Sequence, residues 1–145
     1  MEITVLDADR RAAWRALLVA HAGLMRRLER LHADHGLMPL EWYDVLVHLA
    51  EAPQERLRLS ALADAVLLSR SGLTRLVTRM VEVGWVRREV CPSDRRGAYA
   101  VLTEAGRRAL EAAAPTHLAG IQEFFGDRLT PMEAGQLYGI LTRFR

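Results

Sequence analysis

Between Ser69 and Gly84 the apolar residues Leu73, Leu76, Val77 and Met80 recur at the three-and-four spacing that lays one stripe along a helix. Ser71, Thr74, Arg75 and Thr78 fall on the opposite face, which predicts a helix with a core side and a polar, cationic side. Ser69 is placed to cap its start and Gly84 to close it in a left-handed conformation. The period then changes. Val86 to Cys91 has the β-branched character of a strand, Pro92 to Gly97 is turn chemistry, and Tyr99 to Leu102 reads as a returning strand. Upstream, Arg56-Leu57-Arg58-Leu59 alternates as a short strand would. Ser60 is the expected cap of a helix reaching about Leu67, and Leu68-Ser69 is the turn joining it to the next.

The flanks are helical by pattern. From Ala12 to Asp34, Leu17, His21, Leu24, Leu28 and Leu31 step by four and three in a heptad-like seam, which His35-Gly36 ends. Leu40 to Ala50 carries Trp42, Val45, Leu46 and Leu49, with Pro39 before it and Pro53-Gln54-Glu55 as a connecting loop after it. Thr103 is the expected cap of a long helix with Leu110, Ala113, Ala114, Leu118, Ile121 and Phe125, running past Pro115 with a kink. Thr130-Pro131-Met132-Glu133 reads as a capping box with proline at the first helical position, ahead of a helix presenting Leu137, Ile140, Leu141 and Phe144. The fold class expected is mainly α with a small β-hairpin, α+β. Three terminal helices with wide apolar stripes predict pairing with a second copy.

In order along the chain, Leu59-Ser60-Ala61-Leu62-Ala63, Leu73-Thr74-Arg75-Leu76-Val77, Gly84-Trp85-Val86, Asp94-Arg95-Arg96-Gly97 and Leu102-Thr103-Glu104-Ala105-Gly106 resemble the signature of the MarR family of winged helix-turn-helix transcriptional regulators. The motifs span about the middle third of the chain. The resemblance implies a single domain over 1–145, with a DNA-binding part at 39–102 and dimerisation helices at 10–36 and 103–145. It implies a homodimer on a pseudo-palindromic double-stranded DNA operator, mostly as a repressor. It also implies a small phenolic or aromatic acid effector held near the junction of the two parts. In family wings the second arginine after the aspartate, here Arg96, enters the minor groove while Asp94 holds it extended.

Charge agrees with that reading. All 20 basic residues are arginines, and 11 of them lie between Arg56 and Arg108 against five acids, while the rest of the chain is net acidic. The expected DNA contacts are Ser69, Arg70, Ser71, Thr74, Arg75, Thr78 and Arg79 on the helix, and Asp94, Arg95 and Arg96 on the wing. Trp14, Arg15, His21 and Trp42 are the candidates for an effector pocket. The bland alternatives are a surface arginine at Arg15, a buried, satisfied histidine at His21 and core aromatics at Trp42 and Tyr43. His32 and His35 sit about one turn apart beside Asp34, but a closed metal site needs three or four ligands, so both are expected to be solvated and no metal or cofactor is assigned. Cys91, the one cysteine, is expected to be a packed thiol. The opening Met1 to Asp7 has no basic leader and the early apolar run stops at His21, which predicts a cytoplasmic chain that does not enter a membrane. No catalytic frame or glycine-rich phosphate loop supports an enzyme. A winged-helix module acting on protein rather than DNA stays open, though it would predict a wing tip without arginines.

Overall fold

The computed structural model describes residues 5–66, 70–93 and 97–144, and only the backbone of Arg70. The order is α1 (Ala8–Asp34), α2 (Leu40–Glu51), a 3-10 turn (Pro53–Glu55), β1 (Arg56–Arg58), α3 (Leu59–Ala65), α4 (Arg70–Glu82), β2 (Val86–Val90), β3 (Ala98–Leu102), α5 (Glu104–Phe124) and α6 (Pro131–Leu141). It is a mainly helical chain with a three-stranded antiparallel sheet in the order β1-β3-β2. Two compact units divide it, Met1–Leu31 with His117–Arg145, and His32–Thr116.

In the unit His32–Thr116, the core gathers one face from each element. Leu46 and Leu49 of α2, Leu62 of α3, and Leu73, Leu76, Val77 and Met80 of α4 are all essentially inaccessible, and Val86, Ala100 and Leu102 close it from the sheet. The α4 stripe is the one the spacing predicts. Register follows from alternation: Arg88 pairs with Ala100 and Val86 with Leu102, so the strand faces carrying Val86 and Ala100 turn inward together. Gly84 takes φ 82 and lets the chain turn from α4 into β2. Thr103 then locks the next corner, donating to the Gly84 carbonyl at 2.6 Å and accepting from Gly106 N at 3.1 Å. A β-carbon at Gly106 would collide with the Trp85 carbonyl oxygen, which explains a glycine in the first turn of a helix.

Several boundaries differ from expectation for local reasons. α1 starts at Ala8, four residues earlier, because Asp7 accepts from Arg10 N at 2.9 Å as a cap. β1 passes straight into α3, so Leu59 is helical and Ser60 lies inside the first turn; Arg58 holds the cap position without a side-chain cap bond. Cys91 falls just beyond β2. Pro53-Gln54-Glu55 is a 3-10 turn with Gln54 and Glu55 at φ 57 and 54, and the Glu55 carboxylate pairs with Arg107. His32 is buried rather than solvated: Gly36, at φ 63, reverses the chain so that the Met38 carbonyl reaches His32 Nδ1 at 2.8 Å, with Tyr43 edge-on to the ring. His35 is exposed.

In the other unit, a β-carbon at Gly120 of α5 would run into Leu31, which shows how closely α1 lies against α5 there, and Arg27 lies over the Phe124 ring at 5.3 Å. α5 runs unbroken through Pro115. Thr130 and Glu133 form the expected capping box at α6. From Ala8 to His21 every residue of α1 is exposed, and α6 buries none of its residues.

Candidate nucleic-acid interface

The core holds α4 by one side and leaves the other outward. Ser71, Thr74, Arg75, Thr78 and Arg79 are exposed, and Thr74, Arg75, Thr78 and Arg79 line an open groove. That face combines hydroxyls, which donate or accept, with two guanidiniums, the groups that base edges and phosphates take up. Arg79 lies 3.9 Å from Glu41, both well exposed, a pair too loose and too solvated to withdraw the cation. Ser69, Asp94, Arg95 and Arg96, and the side chain of Arg70, lie outside the described residues.

The loop end of the hairpin ladder is tied to β1 by arginines. Arg56 donates to Glu89 at 3.4 Å, and Arg87 pairs with the same carboxylate. The Arg87 hydrogen bond, with Arg56 assisting, holds the Glu89 carboxyl below its ordinary range, so it stays ionised and neutralised. Arg56 and Arg58 lie over the Tyr99 ring at 4.7 and 5.9 Å. Arg58 also reaches the Cys91 sulfur at 3.3 Å and the Ser93 hydroxyl at 3.2 Å. Cys91 is packed, as expected. These arginines, counted from sequence with the DNA-facing charge, serve the architecture of the wing.

One residue of the interface escaped the sequence reading. Arg88, exposed on β2, donates to Thr78 Oγ1 at 2.7 Å and to the Thr74 carbonyl at 3.2 Å. Strand alternation puts it on the same face as Val86, but its contact with α4 depends on how the chain returns after Gly84. The effector candidates stand as follows. Trp14, Arg15 and His21 are exposed on α1 of the single chain. Trp42 is half-buried on α2, edge-on to Trp85 at 5.5 Å between ring centres. Among the described residues no three His, Cys, Asp or Glu gather as a metal would require. Nor is any helix there long and apolar enough to cross a membrane.

Residues 35–97 match the description of the MarR family. The fold superposes on AbsC, a MarR family transcriptional regulator from Streptomyces coelicolor, with a TM-score of 0.85 and 37% identity, covering 97% of this chain and 94% of that one. The chain belongs to the MarR family. Sco3205, a MarR family regulator from the same organism solved in complex with DNA, matches at TM-score 0.88 and 38% identity over 99% of this chain and 89% of that one. An HTH-type transcriptional regulator of Bacillus cereus is 33% identical over 101 residues, 70% of this chain. The chain spans 65% of that relative's length. MarR membership places the protein among transcriptional regulators and not enzymes.

Proposed function

We propose that this protein is a sequence-specific double-stranded-DNA-binding regulator that acts as a dimeric repressor and is released by a small aromatic acid. The observation that carries the reading is the outward face of α4, where Thr74, Arg75, Thr78 and Arg79 border an open groove while the opposite face is fixed by the core. A rigid helix presenting hydroxyls and guanidiniums fits the major groove, where each base pair shows its own donor and acceptor pattern. The DNA complex of Sco3205 supports it. Arg70, Arg95 and Asp94-held Arg96 are assigned to phosphates and the minor groove, Ser69 and Ser71 to the backbone near the start of α4.

The helices at 10–36 and 103–145 are assigned to dimerisation. Trp14, Leu17, Leu18 and Val19 on α1 and Met132, Tyr138, Ile140 and Leu141 on α6 are large apolar groups left exposed on the single chain, which a second copy would cover. A dimer also turns two modest DNA contacts into one bivalent contact on a symmetric operator. Effector release is a population shift, in which the acid binds the DNA-incompatible spacing of the two α4 helices more tightly. The test is a gel shift with DNA from upstream of the protein's own gene against a scrambled duplex at two salt concentrations. Preferential, salt-sensitive retention of the upstream DNA is expected; equal binding of both would overturn the sequence-specific reading.

A further inference from the structure

We infer that Arg88 is a positioning residue that fixes the hydrogen-bonding polarity of Thr78, and so selects the kind of base that Thr78 accepts. The inference rests on the reading of α4 as the base-reading helix. Thr78 Oγ1 donates its single proton to the Thr74 carbonyl at 2.8 Å and accepts from Arg88 Nη2 at 2.7 Å, while the same Arg88 nitrogen lies 3.2 Å from that carbonyl. A hydroxyl has one proton and two lone pairs. With the proton committed within the helix and one lone pair taken by the guanidinium, what remains toward solvent is a single acceptor site.

An unconstrained threonine reads either a donor or an acceptor on a base, because its O–H rotates. Thr78 braced by Arg88 does not. In the major groove the donors are the exocyclic amines of adenine and cytosine, whereas guanine offers only acceptors there and thymine an acceptor and a methyl group. The brace therefore assigns to Thr78 a base step carrying adenine or cytosine on the contacted strand. It penalises guanine and thymine there, since lone pair would meet lone pair. Arg88 comes from β2 across ten residues of sequence, so the same contact couples the seating of the hairpin to the chemistry of the helix.

The test uses the full chain and a duplex selected from a random library by the wild type. Every position of one half-site is replaced by each of the other bases, and binding is read by fluorescence anisotropy for wild type, Arg88→Ala, Arg88→Lys, Thr78→Val and the double variant. At one position, replacing an amine-bearing base should weaken the wild type about three- to tenfold, the worth of one net hydrogen bond. Arg88→Ala should erase that preference and leave preferences at other positions unchanged. Thr78→Val should erase it as well, with no further change in the double variant. Arg88→Lys, which keeps the charge and one donor, should restore it in part. Matching thermal melts for Arg88→Ala and wild type exclude a folding effect. Uniform weakening of all duplexes by Arg88→Ala, with a salt slope lower by about one, would instead make Arg88 a phosphate ligand and overturn the inference. So would Thr78→Val with its base preferences intact. If the wild type selects no sequence at all, the DNA-reading function itself fails, and the result is distinct from either of these.

Discussion

Arg75 is exposed on the outward face of α4, with no acid paired to it among the described contacts of the helix, and that position sets its expected cost. Arg75→Ala should weaken binding to a selected operator by about 1–3 kcal/mol and flatten the difference between operator and scrambled duplex. Arg96→Ala should weaken both duplexes alike and lower the salt slope by about one, as loss of one phosphate-neutralising charge requires. Anisotropy across a salt series separates the two. An unchanged slope for Arg96→Ala would remove the wing tip from the contact. At this scale the sequence was informative where a residue's role follows from its own helix: Thr74, Arg75 and Thr78 lie on the face the spacing assigns them. It was silent where the role is set by another element. Arg88 on Thr78, and His32 under Met38, depend on how the chain returns after Gly84 and Gly36, which no local period encodes.

At the scale of elements, α4 and α6 are two helices stabilised in opposite ways. α4 is held by burial: Leu73 is completely inaccessible, so Leu73→Ala should cost about 2–5 kcal/mol, read from urea unfolding with the slope unchanged. α6 buries nothing in the single chain and depends on its termini. The Thr130 backbone N–H, with the Thr130 hydroxyl assisting, holds the Glu133 carboxyl below its ordinary value. A lowered folded pKa means that the unfolded state binds more protons on acidification. The cap's contribution is therefore present above the unfolded carboxylate pKa and is lost as pH falls through the folded one. Thermal melts from neutral to acid pH should show a steeper loss in the wild type than in Glu133→Gln, and parallel curves would mean the cap does not matter to stability. Caps and stripes of this kind were legible because they are local. The early start of α1 was legible too, in Asp7 ahead of Ala8, but the heptad seam drew the boundary to the first apolar repeat. The start of α3 was not, since β1 hands the chain to the helix without any capping side chain.

For the whole molecule, the exposed apolar residues of α1 and α6 lead to a test of assembly. Light scattering should report about twice the 16.3 kDa of one chain. Ile140→Asp, on a residue that the single chain leaves exposed, should give a folded monomer whose operator affinity is lower by about a hundredfold or more, because the bivalent advantage is lost. A monomeric wild type with full affinity would sink the dimer. Effector response belongs here as well. Salicylate should displace the operator from the wild type and do so less from Arg15→Ala, with equal displacement removing Arg15 as the acid's partner.

The packed cysteine where β2 runs into the hairpin turn gives this protein an internal clock. Cys91 is the only thiol in the chain and is about 1% exposed, between Arg58 and Ser93. An aromatic disulfide reagent can react with it only when that corner opens, so the rate of colour release in the native state measures local opening without any engineered label. Heating toward the transition should merge that rate with global unfolding. Below it, saturation with operator DNA should slow the clock if the hairpin is clamped on DNA, and an Arg58→Ala variant should run fast while keeping its overall stability nearly intact.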